Sequence, residues 1–436
     1  MKFTYRTSLI TASLIAITFW LIFLPGFYSS DSIGVLGMVK SGELNSAHTA
    51  PYAIFVKIMT FSGSVPGLVT LVNSLVLVFA TTAFIWEMEY QPKIKFLASL
   101  IISSTPLIWA MGITLWHDIP FTAGLLMFLV SIARKRIGRS WVVYALFAGV
   151  LLSFRPNWIP LMLALGAITI IFKSHRSRNT LIPSLTTITV ASVSFFGASF
   201  LIKEPAVQVH YAQEWIRNDL SCFAAKDSNR FTRELTPFIG SVDEWKSAQA
   251  CTFLNDAKLD KKTLFESYEQ TIPAWIKLLQ IDPLFILRTH LERNNYLVPI
   301  PFYGVPVPPF LHTNIEVESP DLKWANPQLA EQIRLIARSW NLLRGIFAFA
   351  GLWVFISLFI ALRRKSNFEI FSVIASISLL LTLFVFAPIP DGRYALPALV
   401  IGQCISLLYL LRNLEILVKT VRLRLQSDEE SKSREK

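Results

Sequence analysis

Charge is scarce in this chain: 16% of its 436 residues are charged and 53% are hydrophobic, with a mean hydropathy of +0.49. Soluble domains carry about 25% charge, so an ordinary water-soluble fold is excluded. Cysteine is rarer still, with Cys222, Cys251 and Cys404 the three present. The first two fall in one long polar segment, where an oxidising compartment permits a disulfide and two free thiols remain the alternative. Cys404 lies inside an apolar run and reads as a packing residue. Small-x-small cleavage signals are missing after the N-terminal apolar run, so Met1–Arg6 followed by Ser8–Leu24 reads as an uncleaved first helix and not as a signal peptide. There is no internal repeat, and no low-complexity stretch apart from the polar tail after Gln426.

What is present is apolar sequence in long runs, at 8–24, 67–86, 96–115, 119–133, 141–154, 157–172, 181–202, 344–362, 368–387 and 395–411. A helix needs about 17 to 25 residues to cross roughly 30 Å of hydrocarbon, and most of these runs reach that length. The net charge of +12 raises the possibility of nucleic acid, but its distribution removes it. Acidic residues outnumber basic ones between Lys203 and Leu342; the excess Lys and Arg sit in short loops (Lys93 and Lys95, Arg134–Arg139, Lys173–Arg178, Arg363–Lys365) and in the tail from Arg412. That is the positive-inside pattern, and it places both termini in the cytoplasm. The runs at 119–133, 141–154 and 157–172 are short, yet the basic loops flanking them require two full crossings between residues 139 and 173. The expected fold is an all-α polytopic membrane protein of about ten transmembrane helices with a mainly helical extracytoplasmic domain. Its parts are residues 1–202 (about seven spans, with an outer loop at 26–66), 203–342 (the outer domain), 343–411 (about three spans) and 412–436 (a basic tail). Helices are expected within the outer domain at Val209–Phe223, Val242–Leu254 and Pro283–Tyr296. The proline-rich Pro299–Phe310 should be extended.

With loops placed by Lys and Arg alone, the unusual polar residues at span ends emerge on the outer side: Asp31, His117, Asp118, Arg155, Asp391 and Arg393. Each has a structural alternative. Asp31 and Asp118 suit helix N-caps, the latter with Pro120 in the first turn. Arg155 and Arg393 suit snorkelling to headgroups, and His48 a surface or capping position. Independent caps and snorkelling residues have no reason to favour one face, whereas a shared polar cavity does. Its chemistry suits a phosphate-linked substrate, since a carboxylate accepts a proton from an attacking hydroxyl while arginines hold phosphate oxygens. His117 and Asp118 are the candidates for a divalent metal.

These segments resemble the GT-C superfamily, membrane glycosyltransferases that use polyprenyl-phosphate sugars. The stretch from Asp31 to Met59 looks like the first outer loop of that group: an acidic residue, a helix, a Gly turn at Gly42, then His48, Pro51 and Tyr52. LWHDIPFT (Leu115–Thr122) resembles its second acidic motif, and SFRPNW (Ser153–Trp158) and DGRYALP (Asp391–Pro397) its arginine-bearing loops. Ser32 stands where several relatives carry a second acidic residue, and no Asp-x-Glu/Asp metal motif is present.

The resemblance implies an inverting glycosyltransferase in a bacterial inner membrane, moving a hexose or pentose from a polyprenyl-phosphate carrier to a glycan, lipid or protein acceptor, with no nucleic acid involved. Asp31 would be the general base and Asp118 a second acid that orients the acceptor or contacts a metal. Arg155 and Arg393 would bind phosphate, with His48, His117 and Tyr394 also at the substrate. A polysaccharide polymerase or ligase shares the layout without needing Asp31 just after the first helix. A lipid or solute transporter would place its polar groups near the bilayer midplane, often in repeated halves.

Overall fold

The computed structural model describes residues 3–42, 48–138, 140–171, 178–201, 214–246, 251, 268–294, 297, 324–339, 347–387 and 392–434. Among them the regular structure is helical, and the extended pairing is a single bridge between Phe27 and Thr114. The N-terminal part holds α1 (Tyr5–Ile22), α2 (Ser30–Ser41), α3 (Ala50–Met59), α4 (Gly67–Glu87), α5 (Pro92–Ser103), α6 (Pro106–Gly112), α7 (Asp118–Arg136), α8 (Val142–Leu152), α9 (Trp158–Ile171) and α10 (Arg178–Leu201). Smaller helices follow as α11 (Glu214–Lys226), α12 (Ser228–Glu234), α13 (Thr236–Ile239), α14 (Val242–Trp245), α15 (Tyr268–Ile281), α16 (Pro283–Arg293) and α17 (Pro327–Ser339). The chain closes with α18 (Ala350–Arg364), α19 (Asn367–Phe386) and α20 (Leu396–Arg434).

Five of these helices (α1, α4, α10, α19 and α20) are long and apolar enough to cross a membrane alone, or six counting α5 and α6 as one broken span bent by 54°. The run at 96–115 is therefore not one straight helix. Pro106 is the physical cause, because proline removes a backbone donor and pushes the preceding residue out of helical geometry; Thr105 adopts φ −76° and ψ 146°. α8 and α9 have 11 and 14 residues, short of the ~20 that a perpendicular span requires. Apolar residues such as Leu14, Leu163, Phe196, Phe200 and Phe359 point outward, the surface a lipid-facing bundle presents.

The bundle has two distinct ends. At one, Arg134 pairs with Glu87 at 2.8 Å and lies over the ring of Tyr144, and Arg364 reaches Glu369 and the Glu89 carbonyl. At the other, Phe27 bonds to the backbone of Ile113 and Leu115, and Trp20 Nε1 donates to the Gly67 carbonyl at 2.9 Å. Gly26 lets these segments meet. Its φ is +121°, and a Cβ there would lie 2.6 Å from the Ile113 carbonyl oxygen. Trp324, just before α17, reaches back to the same place and donates to the Gly26 carbonyl at 3.3 Å.

The helices α11–α16 build a second apolar core around Leu220, Phe223, Phe231, Trp245 and Leu278. Cys222 and Cys251 form a disulfide beside it, with Cα atoms 4.7 Å apart. Buried Asp219 accepts hydrogen bonds from Trp275 Nε1 and Arg293 and contacts His290 Nε2 at 2.8 Å. The other ring nitrogen of His290 lies 2.8 Å from the Phe384 carbonyl, tying this unit to the last turn of α19. α14 ends at Trp245, with Lys246 extended, so the helix expected at Val242–Leu254 stops after one turn. The stretch Pro299–Phe310 and Asp391 lie outside the described residues.

Candidate active site at one end of the bundle

Two serines fix where Asp31 sits. Ser29 is the N-cap of α2, and its hydroxyl takes the Ser32 backbone N–H while the Ser32 hydroxyl takes that of Ser29, a reciprocal capping box. Asp31 is thus not the cap. Its carboxylate stands in the first turn, where the helix dipole favours a negative charge. The cap is also stitched to the LWHD segment, for Ser32 Oγ donates to the Leu115 carbonyl at 2.9 Å and Trp116 Nε1 donates to Ser29 Oγ at 2.8 Å. A second acid at position 32 would replace a donor that this junction uses. Gly42 then ends α2 in the left-handed conformation at φ +77°, turning the chain toward His48.

Asp118 opens α7. The N-cap position belongs to His117, whose side chain makes no cap bond, so the capping reading fails for Asp118 as well. The Asp118 carboxylate, 1% exposed, pairs through Oδ1 with Arg155 Nη1, and its Oδ2 lies 3.9 Å from Arg393 Nε. Arg393, in a tight turn at Gly392–Ala395 ahead of α20, also pairs with Asp31 Oδ2 at 2.8 Å. Neither arginine snorkels: their side chains are 8% and 11% exposed. Tyr394 lies between them, its ring centre 4.6 Å from the Arg155 guanidinium and 5.3 Å from that of Arg393. Trp116 covers Arg393 at 4.9 Å.

His48 reaches the same place because Thr49 Oγ1 donates to the Phe154 carbonyl at 2.7 Å, tying its loop to the segment that carries Arg155. The rings of His48 and His117 are 6.1 Å apart, and Tyr52 lies 5.4 Å from His117. Burial holds the His48 pKa below its ordinary value, with Asp31 opposing and Arg393 adding to the effect. Burial lowers His117 further still, reinforced by Arg155, His48 and Arg393. Both imidazoles are neutral at pH 7. Among the described residues, Tyr52 Oη and His48 Nδ1 are buried without a hydrogen-bond partner, an arrangement that costs free energy unless something visits. Burial and the nearby Asp31 also push the Tyr52 hydroxyl up, which keeps it a donor.

Asp31, His48, His117, Asp118, Arg155, Arg393 and Tyr394 are therefore neighbours. Tyr52, Trp116, Ser29 and Ser32 join them. Tyr52 stands inside the quoted motif and could have been found there; the serines and Trp116 give no signal before the loops are seen to touch. The two carboxylates differ. Asp118 is buried against Arg155 with Arg393 close by, and its Oδ2 has no hydrogen-bond partner among the described residues. Asp31 is 46% exposed on its side chain and open to a ligand. A divalent cation held by Asp118 and His117 would sit beside the Arg155 and Arg393 guanidiniums. Among the described residues no three His, Cys, Asp or Glu side chains gather as a metal centre.

No family model and no curated protein matches this chain. Two solved structures align along nearly its whole length. One is the Archaeoglobus fulgidus oligosaccharyltransferase in complex with Zn and sulfate, at 11% identity and a TM-score of 0.44, over 96% of this chain and 50% of that one. The other is the archaeal oligosaccharyltransferase AglB from Archaeoglobus fulgidus in complex with an inhibitory peptide and a dolichol-phosphate, at 12% identity and a TM-score of 0.46, over 98% and 51%. The chain spans about half the length of each.

Proposed function

We propose that the chain is an inverting membrane glycosyltransferase that moves a sugar from a polyprenyl-phosphate donor to an acceptor on the outer face of a bacterial cytoplasmic membrane. The supporting observation is the junction of one half-exposed carboxylate, Asp31, with two buried guanidiniums on a third group, Asp118. A base needs access to its proton and a phosphate clamp needs rigid donors; this arrangement supplies each in the required form. The acceptor hydroxyl approaches Asp31 and passes its proton to that carboxylate. Its oxygen bonds to the anomeric carbon as the carbon–oxygen bond to the phosphate breaks on the opposite side. Arg155 and Arg393 receive the departing phosphate and stabilise its growing charge. Asp118 fixes both guanidiniums, while Tyr52 Oη and the neutral His48 offer hydrogen bonds to sugar hydroxyls.

In this reading all ten apolar runs cross the membrane and both termini are cytoplasmic, with residues 203–342 capping the site and choosing the acceptor. The gathering of Asp31, Asp118, Arg155 and Arg393 at one end supports that parity. The test is a panel of radiolabelled polyprenyl-phosphate sugars offered to purified protein in liposomes. Donor-dependent release of polyprenyl phosphate is expected from the wild type and is lost in Arg155→Leu. Release that is indifferent to Arg155 would overturn the phosphate clamp, and counterflow of intact substrate with no covalent transfer would replace the proposal with a transporter.

A further inference from the structure

The segment that carries His48 and Tyr52 ends in a strained turn. α3 stops at Met59, and Phe61, Ser62 and Gly63 follow in the left-handed region at φ +49°, +59° and +90°. Glycine takes that conformation freely; serine and phenylalanine take it at a cost, and a bulky residue there is an outlier that its surroundings must hold. Thr60 does the holding. Its hydroxyl accepts the Gly63 N–H at 2.8 Å, its carbonyl accepts the Val65 N–H at 2.9 Å, and the Lys57 carbonyl accepts the Ser62 N–H at 2.8 Å. Lys40 closes the other side, since a Cβ on Gly63 would lie 2.5 Å from the Lys40 Cγ. The turn directs apolar side chains outward: Phe61 is 68% exposed, Ile58 63% and Val65 49%. A tip of this kind, fixed by so many backbone bonds, is not built to face water.

The level of the tip along the bundle indicates what covers it. Val65 stands two residues before Gly67, the first residue of α4, which is long and apolar enough to cross a membrane. The end of α1, a second such helix, meets the same residue: Trp20 Nε1 donates to the Gly67 carbonyl at 2.9 Å, and a Cβ on Gly67 would lie 3.2 Å from Leu24 and Pro25 side-chain atoms. α3 itself packs on α10, a third. The tip therefore sits where two spans end, at the boundary between headgroups and acyl chains, a medium that takes in aromatic and aliphatic side chains. Charge agrees with that medium. Lys40 and Lys57 flank the tip, both are exposed, and neither ammonium has an ion-pair partner among the described residues. Their stems can lie along the apolar surface while the ammoniums reach lipid phosphates. A second copy of the chain seated on this tip would set the same lysines against each other. We infer that the turn at Phe61 is a membrane anchor: Ile58, Phe61 and Val65 insert into the leaflet at the Asp31 end of the bundle, with Lys40 and Lys57 on anionic headgroups. The anchor ties α3, and with it Tyr52, to the bilayer surface. It depends on the crossing of α4 and not on the catalytic reading, and it survives the failure of that reading.

The test attaches a thiol-reactive fluorophore to Phe61→Cys and, separately, to Val65→Cys, which leaves the left-handed residues untouched. The full chain is used in liposomes of phosphatidylcholine and phosphatidylglycerol, with buried Cys404 and the bonded Cys222–Cys251 pair in place. Quenching by lipid spin-labelled near the headgroup should exceed quenching by aqueous iodide several-fold at both positions. It should also rise with the phosphatidylglycerol fraction, and that rise should disappear when Lys40→Gln and Lys57→Gln are added. Iodide quenching that outweighs lipid quenching at both positions would overturn the anchor by showing the tip in water. Oxidation of unlabelled Phe61→Cys into covalent dimers would overturn it by making a second copy the occupant. A phosphatidylglycerol dependence unchanged by the double substitution would overturn the headgroup contact.

Discussion

Asp31→Asn and Asp118→Asn are the same chemical change with opposite expected consequences. Asp118 is 1% exposed, pairs with Arg155 and lies 3.9 Å from Arg393. Removing its charge takes away the carboxylate that the buried Arg155 pairs with, while Arg393 keeps Asp31. Breaking a buried pair in this way costs about 3–5 kcal/mol, which is roughly a hundred- to several-thousand-fold in the unfolding equilibrium. It is also a large share of the ~5–15 kcal/mol by which ordinary domains are stable. Asp31 is 46% exposed, and its partner Arg393 keeps Asp118 nearby. An exposed pair of that kind is worth about 0–1 kcal/mol. Unfolding followed by far-ultraviolet circular dichroism in one detergent should therefore find Asp118→Asn strongly destabilised and Asp31→Asn close to wild type. Arg155→Leu combined with Asp118→Leu should recover part of the loss, because the pair is then removed together. Equal destabilisation by Asn at both positions, or none at Asp118, would refute the division of labour between the two carboxylates.

Ser29→Ala removes both the α2 cap and the acceptor of Trp116 Nε1. It should cost about 0.5–2 kcal/mol and speed hydrogen exchange in α2 selectively. His48 and His117 have folded-state pKa values below the unfolded value of about 6.5, so the unfolded chain takes up their protons first. The stability this provides is complete above pH 6.5 and is lost as pH falls below it; His117→Gln should flatten that slope in a pH series of unfolding midpoints. Reducing the Cys222–Cys251 bond, which closes a separation of 29 residues, should destabilise the α11–α16 unit by about 3–4 kcal/mol, read as earlier proteolysis there than in the bundle.

The sequence reading of the site rests on the parity of the apolar runs. Lys and Arg in short loops assign each span end to a side, and that assignment alone puts Asp31, Asp118, Arg155 and Arg393 together. The local chemistry was harder to read. Asp31 and Asp118 each look like an N-cap, and only the hydrogen bonds of Ser29 and the bare side chain of His117 separate cap from site. Ser32 looks like a missing acid until its bond to the Leu115 carbonyl is seen. The break at Thr105 was legible, since Pro106 announces it, but a hydropathy run averages over such a residue. α8 and α9 came out shorter than their apolar runs.

The central claim is that Asp31 takes the acceptor's proton while the arginines hold the donor phosphate. It is tested most directly by measuring, with Asp31→Asn, both retention of a polyprenyl-phosphate sugar and its transfer to acceptor. The variant should fold, still bind the donor through Arg155 and Arg393, and transfer nothing. Transfer at the wild-type rate by Asp31→Asn would contradict it.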